Sequence, residues 1–249
     1  MHKNSSGTNY QLPVIGIVRS DYKQKFGIPR QAGLVPEARA TLELIAPYNN
    51  PAAFEGLSEC SHIWLQFIFH QSLQHEWRPK VRPPRLGGNK SVGVFATRAP
   101  VRPAAIGLSV VKLEKIELAK GVSLHISGAD LLDETPVLDI KPYLPYADSV
   151  PEAVNLIASA QPDVLPVNFS PLAESQLAQY LDRVTNLRCL VIQVLRQDPR
   201  PSYQRTDSER VYAMQLNQLD IRWRYFDRGA GDEIEVMEIV PFPHACNPQ

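Results

Sequence analysis

Proline is the residue that most limits what this chain can become. With 22 prolines and 13 glycines among 249 residues, fixed turns recur too often for many long helices, because proline removes a backbone donor and clashes with the preceding helical turn. The runs between these turns are short and rich in branched and aromatic residues. Segments 14–19, 42–45, 61–69, 92–97, 106–116, 122–126 and 137–140 are expected as strands. Short strands separated by Gly/Pro turns predict a small antiparallel β-barrel. Asn50-Pro51 and Ser170-Pro171 each set a capping side chain before a proline at the first helical position, which predicts helix starts.

The pattern changes after the barrel. Residues 142–166 hold several prolines and few apolar runs, and read as a linker. A helix follows Ser170-Pro171 to about Arg183, and a second carries Leu187, Leu190, Val191, Val194 and Leu195 on one face. Ile221, Trp223 and Tyr225 then alternate with Arg222 and Arg224 at strand period, and residues 234–239 form a last strand. The expected fold class is mainly β with α+β. A flexible N-terminal tail covers residues 1–13, a β-barrel domain 14–160 and a smaller α+β domain 161–249.

Charge narrows the partners. Lys and Arg total 26 and Asp and Glu total 26, so there is no global pull on nucleic acid and any RNA contact must be local. No Asp or Glu occurs from Trp77 through Leu113, while Arg78, Lys80, Arg82, Arg85, Lys90, Arg98, Arg102 and Lys112 do. That local positive field suits RNA or a ligand carboxylate. His62, His70 and His75 are too irregularly spaced for a metal motif, and Cys60, Cys189 and Cys246 form no CxxC pair. They read as reduced thiols of a cytoplasmic protein with no metal. No run of ~20 apolar residues suggests a membrane span. Rossmann, Walker, GxSxG and HExxH motifs are absent.

Pro83-Pro84-Arg85-Leu86-Gly87-Gly88-Asn89, followed by Gly93-Val94-Phe95-Ala96-Thr97-Arg98, resembles the TsaA-like (TrmO) family of tRNA methyltransferases. Ile15-Gly16-Ile17-Val18-Arg19-Ser20, Pro29-Arg30-Gln31, Phe69-His70-Gln71, Asp139-Ile140-Lys141-Pro142-Tyr143 and Gln197-Asp198-Pro199-Arg200-Pro201 agree with it in family order. The resemblance implies a barrel that binds S-adenosylmethionine and methylates N6 of threonylcarbamoyladenosine at tRNA position 37, beside the anticodon, usually as a homodimer. One departure stands out. The family reads Arg-Pro-Asn-Pro-Ile-Gly where this chain has Arg102-Pro103-Ala104-Ala105-Ile106-Gly107.

By that resemblance, Pro29, Arg30, Gln31, His70, Gln71, Arg98, Leu108, Asp130, Leu131, Leu132 and Asp133 line the cofactor pocket. The residue types suit the ligand. Arg30 and Arg98 can pair with its carboxylate, and Asp130 and Asp133 can accept from ribose or amino groups. Asp133, Asp139 and Tyr143 are candidates to take the proton that the accepting nitrogen must lose. Arg85, Lys141, Arg200, Tyr203, Arg222 and Arg224 are candidate tRNA contacts. A barrel that holds RNA or a nucleoside without catalysis is the competing expectation, and affinity for S-adenosylmethionine separates the two.

Overall fold

The computed structural model describes residues 10–83, 90–119, 121–180, 184, 186–200, 204, 206–227, 229 and 231–242. The first half contains β1 (Gly16–Ser20), β2 (Arg39–Leu44), β3 (His62–Ile68), β4 (Lys80–Val81), β5 (Val92–Gly93), β6 (Ile106–Glu117), β7 (Ser123–Ser127) and β8 (Pro136–Pro142). Six of these close into an antiparallel barrel in the order β1-β2-β7-β6-β3-β8. Alternation does the sorting. Ile63, Leu65 and Phe67 of β3 point inward to meet Val18, Leu42, Leu124 and Ile126, while the residues between them face out.

Two local expectations change. Residues 92–97 do not form one strand. Val92–Gly93 pairs with β4 as a separate two-stranded ribbon, and Val94–Ala96 turns as 3-10 helix, closed by the Thr97 amide on the Val94 carbonyl at 3.1 Å. The Asn50-Pro51 start is real, with Asn50 Oδ1 accepting from the Ala52 amide at 3.1 Å, but it opens only the single 3-10 turn Pro51–Phe54.

The second half holds α1 (Pro145–Asp148), β9 (Val167–Phe169), α2 (Pro171–Ala178), α3 (Leu187–Leu195), β10 (Tyr212–Leu216), β11 (Leu219–Asp227) and β12 (Asp232–Pro241). Ser170 Oγ caps α2 by accepting from the Ala173 amide at 3.1 Å. The helix stops at Ala178, and Arg183 lies outside the described residues. The sheet runs β10-β11-β12-β9, with β9 parallel to β12. Ile221, Trp223 and Tyr225 form its buried face against Leu187, Leu190 and Leu195 of α3. Among the described residues, no helix is long and apolar enough to cross a membrane.

The two halves share material. The loop between β1 and β2 belongs by sequence to the barrel, yet its Tyr22, Val35 and Ala38 are buried in the core of the second half. Phe26 stacks on Trp223 with ring centroids 5.9 Å apart and planes 7° from parallel. Asp21 O accepts from the Asn217 amide at 2.8 Å, and the Glu37 amide donates to Gln193 Oε1 at 3.0 Å. Both ends of the loop are therefore fastened to the second domain.

Asp21 sits where this loop leaves the barrel, and burial pushes its carboxyl up to about 6, with Asp133 adding to the rise and Lys23 and Arg39 opposing it. A raised carboxyl favours the fold only below its unfolded value, and that favour disappears as pH rises through about 6. Asp21→Asn should therefore match the parent in Tm near pH 4 and exceed it at pH 7. Thermal melts across that range check this, and an equal Tm at both ends would contradict it.

Candidate functional site

At one end of the barrel a cavity of about 680 Å³ opens between four segments. They are the anchored β1–β2 loop, the end of β3 with the turn after it, the Thr97–Arg102 segment leading into β6, and the loop after β7. A volume of this order suits a nucleoside-sized ligand. Its floor depends on a glycine. A Cβ on Gly107 would come within 2.3 Å of the Phe67 ring, its partner in the β3–β6 register. The sequence suggested that the glycines here mark turns, but Gly107 lies within a strand and makes room for an aromatic ring. Phe67 then packs edge-on against Phe69 at 5.2 Å, and Ile28, Leu108 and Leu132 add apolar wall.

Asp130 supplies the polar centre of the cavity. Ser109 Oγ donates to its Oδ1 at 2.6 Å, and the backbone amides of Ala32 and Asp130 itself also support the carboxylate. Burial nevertheless raises its carboxyl above the ordinary value, with the Arg98 charge opposing the rise. A desolvated carboxylate of this kind is offset best by a cationic ligand. His70, on the same wall, is held below its ordinary value chiefly by burial, so its imidazole is neutral at neutral pH. Arg98 Nη1 donates to Gln31 Oε1, and the Gln31 amide nitrogen donates to the Arg30 carbonyl. These three side chains form one wall of the cavity.

Of the cofactor residues expected from sequence, the structure gathers Pro29, Arg30 and Gln31 from the loop, His70 and Gln71 after β3, and Arg98, Leu108, Asp130 and Leu132 around one space. Leu131 and Asp133 are not on its wall. Leu131 is buried in the barrel core. Asp133 instead ties the β1 end, its carboxylate accepting from the Ser20 amide at 2.9 Å and Lys23 Nζ at 2.8 Å. Asp139 and Tyr143 also lie outside. Asp139 pairs with Lys141 two residues along β8, and Tyr143 packs on Trp64 at 6.0 Å. Sequence reasoning passed over Ser109, Thr97 and Ile28. Ser109 shares the buried face of β6 with Gly107, Val111 and Leu113, and nothing in that spacing marks its hydroxyl as an anchor for Asp130.

The expected tRNA contacts fare differently. Arg85 and Tyr203 lie outside the described residues. Arg200 is only 8% exposed. Its guanidinium donates to Asp198 Oδ2 and Thr206 Oγ1, each at 3.0 Å, pairs with Asp232, and lies 4.2 Å over the Tyr225 ring. A charge so compensated holds the second domain together and is not presented to RNA. Arg222 is more open but is paired with Asp220 and Glu238, each at 2.8 Å, and Arg224 buries its Nε. Lys141 is engaged by Asp139.

Chemically, the residues fit S-adenosylmethionine. A carboxylate faces a ligand with sulfonium and ammonium charges, arginines are at hand for its carboxylate, and apolar walls suit its adenine. The family's Asn-Pro pair, replaced here by Ala104-Ala105, has a structural consequence. Ala105 adopts φ 42 and donates its amide to the Arg102 carbonyl at 3.2 Å. Proline can do neither, so the turn entering β6 is one this chain builds with alanine.

Residues 17–149 match the family described as the tRNA-methyltransferase O N-terminal domain, and residues 162–242 match the TrmO C-terminal domain. A protein of Escherichia coli strain K12, named tRNA (adenine(37)-N6)-methyltransferase, is 45% identical over 234 residues, covering 93% of this chain and 99% of its own. A Pseudomonas aeruginosa protein named "Putative S-adenosylmethionine-dependent methyltransferase RcsF" is 52% identical over 217 residues, covering 87% of this chain and 93% of its own. The crystal structure of TrmO from P. aeruginosa superposes with a TM-score of 0.79 at 41% identity, covering 96% of this chain and 100% of that one.

The cavity's balance of charge makes a two-sided prediction for Asp130→Asn. Removing the carboxylate should weaken S-adenosylmethionine binding by about 1.5–3 kcal/mol, the range for hydrogen bonds to charged groups. It should not lower stability at pH 7, because it also removes a desolvated charge. Calorimetric titration and thermal melts read the two effects, and undiminished affinity would contradict the assignment.

Proposed function

The chain belongs to the tRNA-methyltransferase O family, and we propose that the barrel cavity is where it carries out that family's reaction. It is an S-adenosylmethionine-dependent tRNA (adenine(37)-N6)-methyltransferase, with threonylcarbamoyladenosine as the acceptor that the family resemblance implies. The observation that carries the reading is the Asp130 carboxylate, half-buried and braced by Ser109 at 2.6 Å in a nucleoside-sized cavity of the barrel. A barrel that only held RNA would have no use for a desolvated anion there, since RNA would be repelled by it.

When bound, S-adenosylmethionine supplies a methyl group activated by its sulfonium, whose bond to sulfur breaks as the acceptor nitrogen attacks. The chain's own work is mostly placement, which can supply a large share of the rate. Asp130 balances positive charge in the cavity. Arg30 and Arg98 are the cations for the ligand carboxylate. Phe67, Phe69, Leu108 and Leu132 exclude water from the apolar side. The acceptor nitrogen must also lose a proton. Asp133, Asp139 and Tyr143, the candidates for it, lie off the cavity wall, while His70 and Asp130 are on it.

The reading extends to partners. The acid-free stretch Trp77–Leu113 supports contact with the tRNA anticodon loop. The exposed Tyr146 and Val150 after the barrel support a homodimer, and the scattered reduced cysteines support a cytoplasmic setting. We place the domain division near residue 160, with the barrel binding the cofactor and the second domain holding the β1–β2 loop in position for tRNA.

Incubating the protein with S-adenosylmethionine and tRNA carrying threonylcarbamoyladenosine should add one methyl group to that nucleoside, read by mass spectrometry of the digested RNA. Arg98→Ala should slow the reaction by roughly tenfold to a hundredfold. No methyl incorporation, or incorporation at another nucleoside, would overturn the reading.

A further inference from the structure

A second groove, of about 1290 Å³, lies against the cofactor cavity and shares Arg30, Gln31, Thr97, Arg98 and Pro100 with it. Its other walls are the Val81–Pro83 segment, the turn carrying Phe95, and the linker from Val154 to Pro162. The two spaces differ in their acidic groups. The cavity sets Asp130 among Lys25, Arg30, Arg98 and Arg102. The groove contains Arg30, Arg82 and Arg98 and, among the described residues, no Asp or Glu. The sequence on either side of Arg82 adds none, since the acid-free stretch runs from Trp77 to Leu113.

Within the groove, Arg98 is already tied to Gln31. Arg82 pairs with no carboxylate among the described residues, is exposed, and does not line the cofactor cavity. Phe95 leaves 75% of its surface exposed. An exposed ring beside unpaired guanidinium is the pairing that a purine with an anionic substituent requires. The ring offers a stacking face, and the cation a partner for the substituent. The acceptor of the reaction is such a group, an adenine whose N6 side chain ends in the carboxylate of threonine.

Resting on the methyltransferase reading above, we infer that this groove is the acceptor site, in which Phe95 stacks on the modified adenine and Arg82 pairs with its threonyl carboxylate. The shared wall of Gln31, Thr97 and Arg98 is then where acceptor and donor meet. Unmodified adenine has no carboxylate for Arg82 and forfeits that contact. Arg82 is thus a specificity-determining residue and not a general phosphate contact.

Two synthetic RNA hairpins test this, one bearing threonylcarbamoyladenosine and the other its carboxamide counterpart, in which the carboxylate is neutral. Fluorescence anisotropy gives binding and methyl incorporation gives kcat/KM, each for the intact parent chain, Arg82→Ala and Arg82→Lys. The parent should prefer the acid hairpin by about tenfold to a hundredfold, the range for a charge-assisted pair. Arg82→Ala should lose that preference by slowing only on the acid hairpin, and Arg82→Lys should retain part of it. S-adenosylmethionine affinity, read by calorimetry, should be unchanged in both variants. If Arg82→Ala weakens both hairpins equally, Arg82 holds a phosphate and the inference fails. If the preference survives in Arg82→Ala, the carboxylate is read elsewhere and it fails as well. A parent that binds the acid hairpin selectively without methylating it would instead sink the methyltransferase reading and leave the groove assignment standing.

Discussion

Phe26 stacked on Trp223 is the contact on which the geometry of the site depends. The segment that carries it begins at the end of a barrel strand, yet it buries Tyr22, Val35 and Ala38 in the core of the other domain. Between those anchors run Ile28, Pro29, Arg30 and Gln31, which form a wall of the cavity. A loop of this length would be mobile on its own, and fixing it costs roughly 1–2 kcal/mol of backbone entropy per residue. Burial of its aromatic and branched side chains offsets that cost. The second domain therefore acts on the site through packing, even though its own arginines are largely engaged within it.

That arrangement changes the expected division of labour. From sequence, a chain ending near Pro166 should still bind cofactor, because every expected cofactor residue precedes the linker. The structure argues otherwise. Such a chain would lack Trp223, Leu190 and Val194, and the Arg30 loop would lose the core that buries its Tyr22, Val35 and Ala38. The same logic places Arg200. Its neighbours Asp198, Thr206 and Asp232 and the Tyr225 ring build a closed network that stiffens the sheet, so its conspicuous position in Gln197-Asp198-Pro199-Arg200-Pro201 is structural.

The barrel was legible because its strands alternate cleanly. Ile63, Leu65 and Phe67 announce β3, and Ile221, Trp223 and Tyr225 announce β11. The strands β9 and β10 escaped notice for different reasons. β9 is only 3 residues long and pairs in parallel with a partner far along the chain. β10 alternates Tyr212, Met214 and Leu216 with Ala213 and Gln215 but is only 5 residues long. Family resemblance located most of the cavity wall, since the motif residues converge in space. It did not separate Asp130, which faces the cavity, from Asp133 three positions on, which ties Lys23 and Ser20. That distinction depends on where the chain turns after β7. The loop's attachment to the second domain left no local trace either, because Tyr22 and Phe26 read as ordinary loop aromatics until their distant partners are known.

The most direct test of this account is the affinity of Phe26→Ala for S-adenosylmethionine. Phe26 does not line the cavity, so the substitution removes no ligand contact. It removes the stack on Trp223 that holds the Arg30 loop. Calorimetric titration, at a temperature where melts show the variant fully folded, should find affinity reduced about tenfold or more, equivalent to at least ~1.4 kcal/mol. Affinity equal to that of the parent chain would show that the loop keeps its place without that stack, and would contradict the account.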